Sequence, residues 1–570
     1  MSQAYATTTA IAREISYPQT LYFSRLWCEW LSPPPLGRSL AILTYWAIIT
    51  LFLTTGSIVH DAYYWERVGF RAAWISVTQV PLVYLLAGKV NIISIFFGSS
   101  YIDLNWIHRW VSRTLFLTVT IHGGFFITEW VRADFFKLEL AMMPMVKYGI
   151  GLWSVLAWMT ISSLVPLRRL CYEFFVLQHL ASGAIFLWLL YKHVPSYAAY
   201  NVWMAVAFVL SGRVLRSCIF LFQNLSRHIG YVAELKAMPG DITMITIYDV
   251  NFSWRPGQHI LLWCPTLGPL ESHPFTISSV SQDTVSNSSN EMELVVRART
   301  GFTRRLHSRA SSPQSARSKV RAFVTGPFGN LPNWNTFETI VLISASTGAS
   351  FTLPILESIL RDPCCVSRID CLLLVRDRSH VDAYLQRLKA ATVHDKSSEV
   401  DLRIEIAVTG KVHDVGCGDD DSIELGSVTA SQSSSGASSA GLPNSPLIIC
   451  KTEVKEPPTS RLVATSAKPL AKVSLETDIE KAGVAFNTTA PASQSQKKPC
   501  LQYSHGRPSL AKVIRAPIEA SAGETSVVVC GGKSLTSTVR NCVARLSDER
   551  AVHKGTGAQG IHLHVEEFGS

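Results

Sequence analysis

The sequence is short of charge, of paired cysteines and of any cationic tract. Only 16% of its 570 residues are Asp, Glu, Lys or Arg, against 48% hydrophobic residues, 15 Trp and a positive mean hydropathy. That balance excludes an ordinary soluble chain and points to membrane spans. The 12 cysteines are scattered and none is spaced Cys-x-x-Cys, so neither a zinc site nor a disulfide framework is indicated. The net charge is +10, yet Lys and Arg are spread through loops without a basic block interleaved with aromatics. Nucleic acid is therefore set aside as a partner. The N-terminal MSQAYATTTAIAREISYPQT has no short apolar core of the signal-peptide kind, and insertion is expected to rely on the first span.

What is present divides in two. Apolar residues concentrate before about residue 222, and spans of about 20 residues are expected near 40–59, 72–93, 107–129, 149–167, 172–193 and 199–222. Arg168 and Arg169, Lys89, Arg109 and Arg113, and Arg213, Arg216 and Arg227 fall on one side of these spans and mark it as cytosolic. The opposing loops carry Arg67, Arg71, Arg132, Lys137 and Lys147, so the bias is modest. The remainder has soluble composition, except that 411–504 collapses into Ser, Ala, Lys and Thr, with DDDS and SQSSSGASSAG. This reads as a disordered low-complexity insertion.

In NWIHRWVSRTLFLTVTIHGGFF two histidines, His108 and His122, lie in a stretch that suits lipid. Ionisable groups there cost about 2.5 kcal/mol or more and are usually functional. The same fourteen-residue spacing recurs in QHLASGAIFLWLLYKHV, with His179 and His193. Fourteen residues make close to four helical turns, so each pair faces one way, about 21 Å apart along the axis. Two such helices facing each other offer two stacked bis-imidazole sites suited to haem iron: His108 with His179 near the cytosol, His122 with His193 near the outside. A single intramembrane histidine is more often a polar group satisfied by a neighbouring helix; the repeated spacing is what argues for metal. His60, at a span end without such a partner, reads as interfacial.

The string SYIDLNWIHRWVSRTLFLTVTIH resembles the signature of the ferric reductase transmembrane domain, shared by fungal ferric-chelate reductases and the catalytic subunits of NADPH oxidases. The resemblance covers most of 40–410 and 505–570. It implies a multi-domain membrane protein: a six-span α-helical haem-binding bundle (40–222) after an N-terminal segment (1–39), then an antiparallel β-barrel FAD domain (228–333). An α/β parallel-sheet, ferredoxin reductase-like NADP-binding domain follows in two parts (336–410 and 505–570). Two haems b on the four histidines, FAD and NADPH are the implied cofactors.

Motifs downstream fit. After the alternating strand ITMITIYDV come WRPGQHILLWCP and HPFTISS. The resemblance places FAD contacts on His273, Pro274, Phe275 and Thr276, with Ser278 and Ser279 beside them. RARTGFTRRL resembles the family's GFT segment, where Gly301, Phe302 and Thr303 open a helix N-terminus that favours an anionic pyrophosphate. TGPFGN resembles the turn that ends the flavin domain. In TIVLISASTGASFTLPILESIL an apolar strand, a small-residue turn and a helix start make a nucleotide-binding βα unit, with contacts expected at Thr347, Gly348, Ala349 and Ser350. Fungal relatives carry Gly-Gly before this turn, where this chain has Ala345 and Ser346. Arg376, at the exit of the strand IDCLLLVRD, is placed to meet the 2′-phosphate of NADPH, with Arg507 as a second contact. Cys530 and Gly531 match the family's final Cys-Gly-Pro, where the cysteine lies by the nicotinamide; Gly532 replaces the proline. Phe568, in the terminal HVEEFGS, matches an aromatic that covers the flavin. No general base or nucleophile is expected.

The expected function is electron transfer from cytosolic NADPH through FAD and two haems b to an extracellular ferric or cupric chelate. It would serve metal uptake at the plasma membrane, or alternatively the vacuolar membrane, with a multicopper ferroxidase and an iron permease downstream. A superoxide-generating NADPH oxidase shares nearly every site residue, and a haem-bearing scaffold without catalysis is the third reading.

Overall fold

The structure, a computed structural model, describes residues 3–23, 31–90, 93, 101–225, 229–269, 271–281, 290–312, 318–394, 400–410, 500–549 and 560–567. Of the expected insertion, 411–499 lies outside the described residues, as does Phe568.

The apolar half is helical. After α1 (Gln3–Ser16) come α2 (Leu36–Thr54), α3 (Tyr64–Ala87), α4 (Tyr101–Arg132), α5 (Phe136–Met142), α6 (Pro144–Ser162), α7 (Val165–Leu170), α8 (Tyr172–His193) and α9 (Tyr200–Leu225). Among the described residues five helices are long and apolar enough to cross a membrane, and a sixth crossing arises if α5 and α6 are one broken span. The two meet at 100°. The fourth crossing thus begins at Pro144 rather than near 149, because proline at the first helical position starts a helix readily. The first begins at Leu36 rather than 40. Buried Val80, Leu115, Leu152, Phe186 and Val202 form the centre of the bundle. His60 stacks on Tyr64 at 5.0 Å just before α3, at a span end as expected.

The chain leaves the bundle through α9 into an antiparallel sheet ordered β4-β3-β6-β1-β2-β5. Its strands are β1 (Tyr231–Met238), β2 (Ile242–Ile247), β3 (His259–Trp263), β4 (His273–Thr276), β5 (Met292–Arg297) and β6 (Ser318–Phe328). A bridge between Ile277 and Leu294 joins the two edges and closes a barrel. Alternating inward residues such as Ile245, Leu262 and Leu294 fill it, and Phe302 and Leu306 of α10 (Gly301–Ala310) join the same core.

A parallel sheet follows in the order β10-β9-β8-β7-β11-β12. It comprises β7 (Thr339–Ala345), β8 (Arg368–Val375), β9 (Asp401–Val408), β10 (Cys500–His505), β11 (Thr525–Gly531) and β12 (Ile561–Glu567). The helices are α11 (Ala349–Arg361), α12 (Asp382–His394), α13 (Leu510–Ala520) and α14 (Lys533–Glu549). The central strands β7 and β11 are almost wholly apolar, as strands covered on both faces must be. Strand β10 pairs with β9 from Cys500 onward, so 500–504, assigned above to the insertion, belongs to the sheet. Strands march outward from β7 to β10 and then return to β11, which puts the topological switch point between β7 and β11.

The N-terminal segment docks on this last domain. Arg13 pairs with Glu524 at 3.0 Å, Tyr17 Oη accepts from the Leu563 N–H at 3.2 Å, and Gln19 exchanges two hydrogen bonds with Asn541.

Candidate electron-transfer site

The four histidines fall on two helices, His108 and His122 on α4, His179 and His193 on α8. The rings of His122 and His193 lie 6.0 Å apart between centroids. Three of the four are aimed by backbone carbonyls: Nδ1 of His108 donates to Val83 O at 3.0 Å, of His122 to Gly69 O at 2.9 Å, and of His193 to Met145 O at 2.9 Å. A carbonyl only accepts, so Nδ1 carries the proton and Nε2 keeps its lone pair. This is the arrangement of a metal-ligating imidazole. Gly69 and Val83 are themselves fourteen residues apart, so α3 repeats the interval of the histidines it orients. His179 differs in having a buried Nδ1 without a hydrogen-bond partner. Glycine makes room where α6 meets α8, since a Cβ on Gly149 would lie 2.7 Å from the His193 ring. Two imidazole nitrogens that each bonded one metal ion at about 2 Å would put their ring centroids about 6 Å apart. The donor set therefore fits haem iron at the His122–His193 level.

The two flavin motifs, remote in sequence, come together. His273 of β4 stacks on Phe302 of α10 at 4.6 Å, and Phe275 lies 6.4 Å from the same ring. Glu271 accepts from Arg305 through both oxygens and lies 3.3 Å from His273 Nε2, fixing this corner. Pro274 is exposed, and Thr276 is half-buried. Thr303 Oγ1 accepts from the Arg299 N–H at 3.0 Å. Gly301 has φ +56°, and a Cβ there would lie 2.7 Å from Glu173 Oε1 in the first turn of α8. The positive φ favours glycine here, and the Glu173 carboxylate packs against it. The start of α10 abuts the helix that bears His179, six residues beyond Glu173 and about 9 Å along the axis.

Ser278 and Ser279 are engaged by protein. Buried Ser278 accepts from Arg387 at 3.0 Å, and Ser279 Oγ accepts from the Glu293 N–H at 3.0 Å. Arg387, which no sequence pattern marked, also makes a two-pronged pair with Glu357 at 2.7 and 2.6 Å and reaches Glu293 at 3.7 Å. It ties α12 and α11 to the barrel. Burial raises the Glu293 carboxyl above its ordinary range, with Arg387 opposing the shift.

At the nucleotide domain, the turn 346–348 leads from β7 into α11, whose first residues are Ala349 and Ser350. No side chain caps this helix: Ser350 Oγ turns back to Thr347 O at 2.7 Å, and the Ala349 N–H is shared between Ser346 O and Thr347 O, so the helix N-terminus is free of side-chain caps where it would face an anion. Ser346, in the place of a family glycine, has φ +53° and accepts from Arg297 at 3.3 Å. A left-handed conformation costs a non-glycine residue about 1–2 kcal/mol, and this bond offsets part of it. Strands β7 and β11 pair Ser344 with Cys530, which places the turn beside Cys530 and Gly531 at the switch point. Cys530 is fully buried, and burial pushes its thiol well above the ordinary range, with Glu566 adding. Burial therefore favours the neutral thiol over the thiolate. Exposed Arg376 and Arg507 lie just beyond Val375 and His505, which the ladder aligns through Val408 at one edge of the sheet. Beside them Arg378 lies over the Tyr503 ring at 5.0 Å.

Residues 72–190 match the family model of the ferric reductase like transmembrane component, 230–331 that of an FAD-binding domain, and 337–544 that of the ferric reductase NAD binding domain. The chain belongs to the ferric reductase family. Over 342 residues it is 28% identical to the probable cell surface ferric reductase kap2 of Aspergillus oryzae, covering 56% of this chain and 44% of that one. It is 24% identical over 290 residues to ferric/cupric reductase transmembrane component 2 of Saccharomyces cerevisiae, covering 49% and 38%. Ferric reductase transmembrane component 1 of Schizosaccharomyces pombe is 27% identical over 334 residues, covering 51% and 56%. The chain spans about half the length of these curated relatives. The ferric reductase transmembrane, FAD-binding and NAD-binding matches thus fall in order along one chain.

Proposed function

We propose that this ferric reductase carries electrons from cytosolic NADPH, through FAD and two haems b, to a ferric or cupric chelate on the opposite face of the membrane. The observation that carries the reading is the approach of Gly301 to Glu173, which joins the flavin motif to the cytosolic end of a histidine helix. When bound, the flavin exchanges a two-electron hydride for single electrons and the haems pass them onward.

The residues bind and orient these groups. His273, Phe275 and Thr276 grip the flavin with Gly301, Phe302 and Thr303, while Pro274, Ser278 and Ser279 hold the strand that presents them. The turn and helix start at Thr347, Gly348, Ala349 and Ser350 receive the pyrophosphate, Arg376 and Arg507 the 2′-phosphate, and Cys530 with Gly531 flank the nicotinamide. Val83, Gly69 and Met145 hold protons on the Nδ1 atoms of His108, His122 and His193, keeping Nε2 toward iron. We place the protein in the plasma membrane, a reading supported by a relative named as a cell surface reductase, with a multicopper ferroxidase and an iron permease acting on its product.

Intact cells supplied with an impermeant ferric chelate test this. Reduction that depends on NADPH and survives superoxide dismutase is expected; reduction abolished by the dismutase would assign the chain to the superoxide-forming class.

A further inference from the structure

Three of the chain's nine methionines, Met142, Met143 and Met145, fall within four residues at the elbow between α5 and α6. They are 72%, 44% and 42% exposed. The elbow is well defined: the Met143 N–H donates to Glu139 O at 2.9 Å, φ −108° and ψ 102° turn the chain there, and Pro144 starts the next helix. It lies at the end of the bundle remote from the flavin domain. The Met145 backbone carbonyl accepts from His193 Nδ1 at 2.9 Å, so the elbow that carries the three thioethers is joined through its main chain to an outer imidazole.

Methionine is a flexible gap-filler in cores, but these three fill no core. Leucine or isoleucine would serve as well for plain lipid contact. A thioether differs in being a soft, uncharged donor with no proton to lose, and such donors select Cu(I) over Cu(II) and over iron. Three rotatable bonds per side chain let sulfurs on one elbow converge on a single ion.

We propose that Met142, Met143 and Met145 form a cuprous-ion site that captures the product of cupric reduction at the His122–His193 end. This rests on the reading that cupric chelates are reduced at this face. One electron from the relay converts Cu(II) to Cu(I), bonds to the chelator's harder oxygen and nitrogen donors break, and copper–thioether bonds form with no proton moved. Neutral donors leave the ion's single positive charge intact for onward transfer.

The test uses the full-length protein carrying its flavin and haem, with Cys171, Cys218, Cys364 and Cys365 and any other accessible thiols alkylated first so that thiolates do not compete. Cu(I) under ascorbate is titrated against a chromogenic cuprous chelator, without NADPH. About one Cu(I) per chain with sulfur neighbours in X-ray absorption is expected, and the combined Met142→Leu, Met143→Leu and Met145→Leu variant should bind at least about tenfold more weakly. Leucine nearly conserves volume and keeps the Met145 backbone carbonyl that accepts from His193 Nδ1, so flavin and haem spectra should not change. Should the triple variant lose haem, Met142→Leu alone, at the most exposed position, gives the same readout with a fall of about threefold. Parent and variant holding Cu(I) equally, or copper without sulfur neighbours, overturns the proposal. Copper binding that persists while NADPH-driven cupric reduction is absent overturns the electron-transfer reading instead.

Discussion

Asn224, in the last turn of α9, treats Val324 as a neighbouring strand would: its side-chain amide donates to Val324 O at 2.7 Å, and its Oδ1 accepts from Val324 N at 2.9 Å. Gln223 does the same to Gly326, donating to its carbonyl and accepting from its N–H at 3.2 Å. The final span is thereby fastened to β6. Asn224→Leu would strand two buried backbone groups, each costing about 1–3 kcal/mol. The flavin domain should unfold several degrees earlier while haem content holds, as thermal scans followed by flavin fluorescence will check. An unchanged midpoint would mean that the clasp is incidental.

His193→Ala should remove the outer haem, leaving about half the haem content with a low-spin spectrum, and stop reduction of an impermeant chelate. Haem extraction and difference spectra measure this. Unchanged haem content with a low-spin spectrum would overturn the pairing of His122 with His193.

Coenzyme preference is expected at Arg376, exposed at the strand edge with Arg507 two ladder positions away. A charge-assisted contact contributes about 1.5–3 kcal/mol, so Arg376→Ala should weaken NADPH use about ten- to a hundredfold and leave NADH use nearly unchanged. Equal losses with both coenzymes would move the preference elsewhere.

Strands β9 and β10 pair from Arg403–Cys500 to Val408–His505 on either side of the low-complexity stretch. Replacing 415–495 by a short Gly/Ser bridge should preserve NADPH oxidation, since closing a longer surface loop adds only about 0.6 kcal/mol per doubling. Loss of NADPH binding with flavin and haem retained would make the segment part of the site.

The nucleotide domain should weaken in mild acid. Burial holds the His562 imidazole down at about 4, with Arg13 and His564 adding to the shift. An unfolded histidine titrates near 6.5. Between those values the unfolded chain binds a proton that the folded one refuses, so the contribution is full above about pH 6.5 and is lost as pH falls toward about 4, by about 3 kcal/mol at most. His562→Gln should flatten the unfolding midpoint across that window; a slope equal to the parent's would assign the effect to other groups.

Spans and cofactor motifs were legible because hydropathy and short-range spacing encode them. Five spans, with a sixth as a bent helix pair, the nearness of His122 to His193, and the meeting of HPFT with GFT are all seen in three dimensions. Directions and distant contacts were not legible. Hydropathy counts Met142 to Ser162 as apolar but cannot see Met143 turn the chain through 100°. Arg387 sits in an unremarkable helical stretch, and its worth comes from Glu293 and Glu357, remote in sequence. Strand β10 was missed as far as Ser504 because LQYS follows a polar tract with no turn signal. The Ser346 substitution suggested a lost glycine, while the φ of +53° and the bond from Arg297 show the glycine's conformation retained by another residue.

Tyr17 meets Leu563 and Gln19 meets Asn541, while α9 is clasped to the barrel at the other end. The N-terminal segment thus holds the nucleotide domain, while α9 holds the barrel to the bundle. A reductase whose redox domain swings between donor and acceptor slows as the medium thickens. This one should run as a fixed conductor, its turnover indifferent to added glycerol or sucrose until coenzyme exchange itself becomes diffusion-limited.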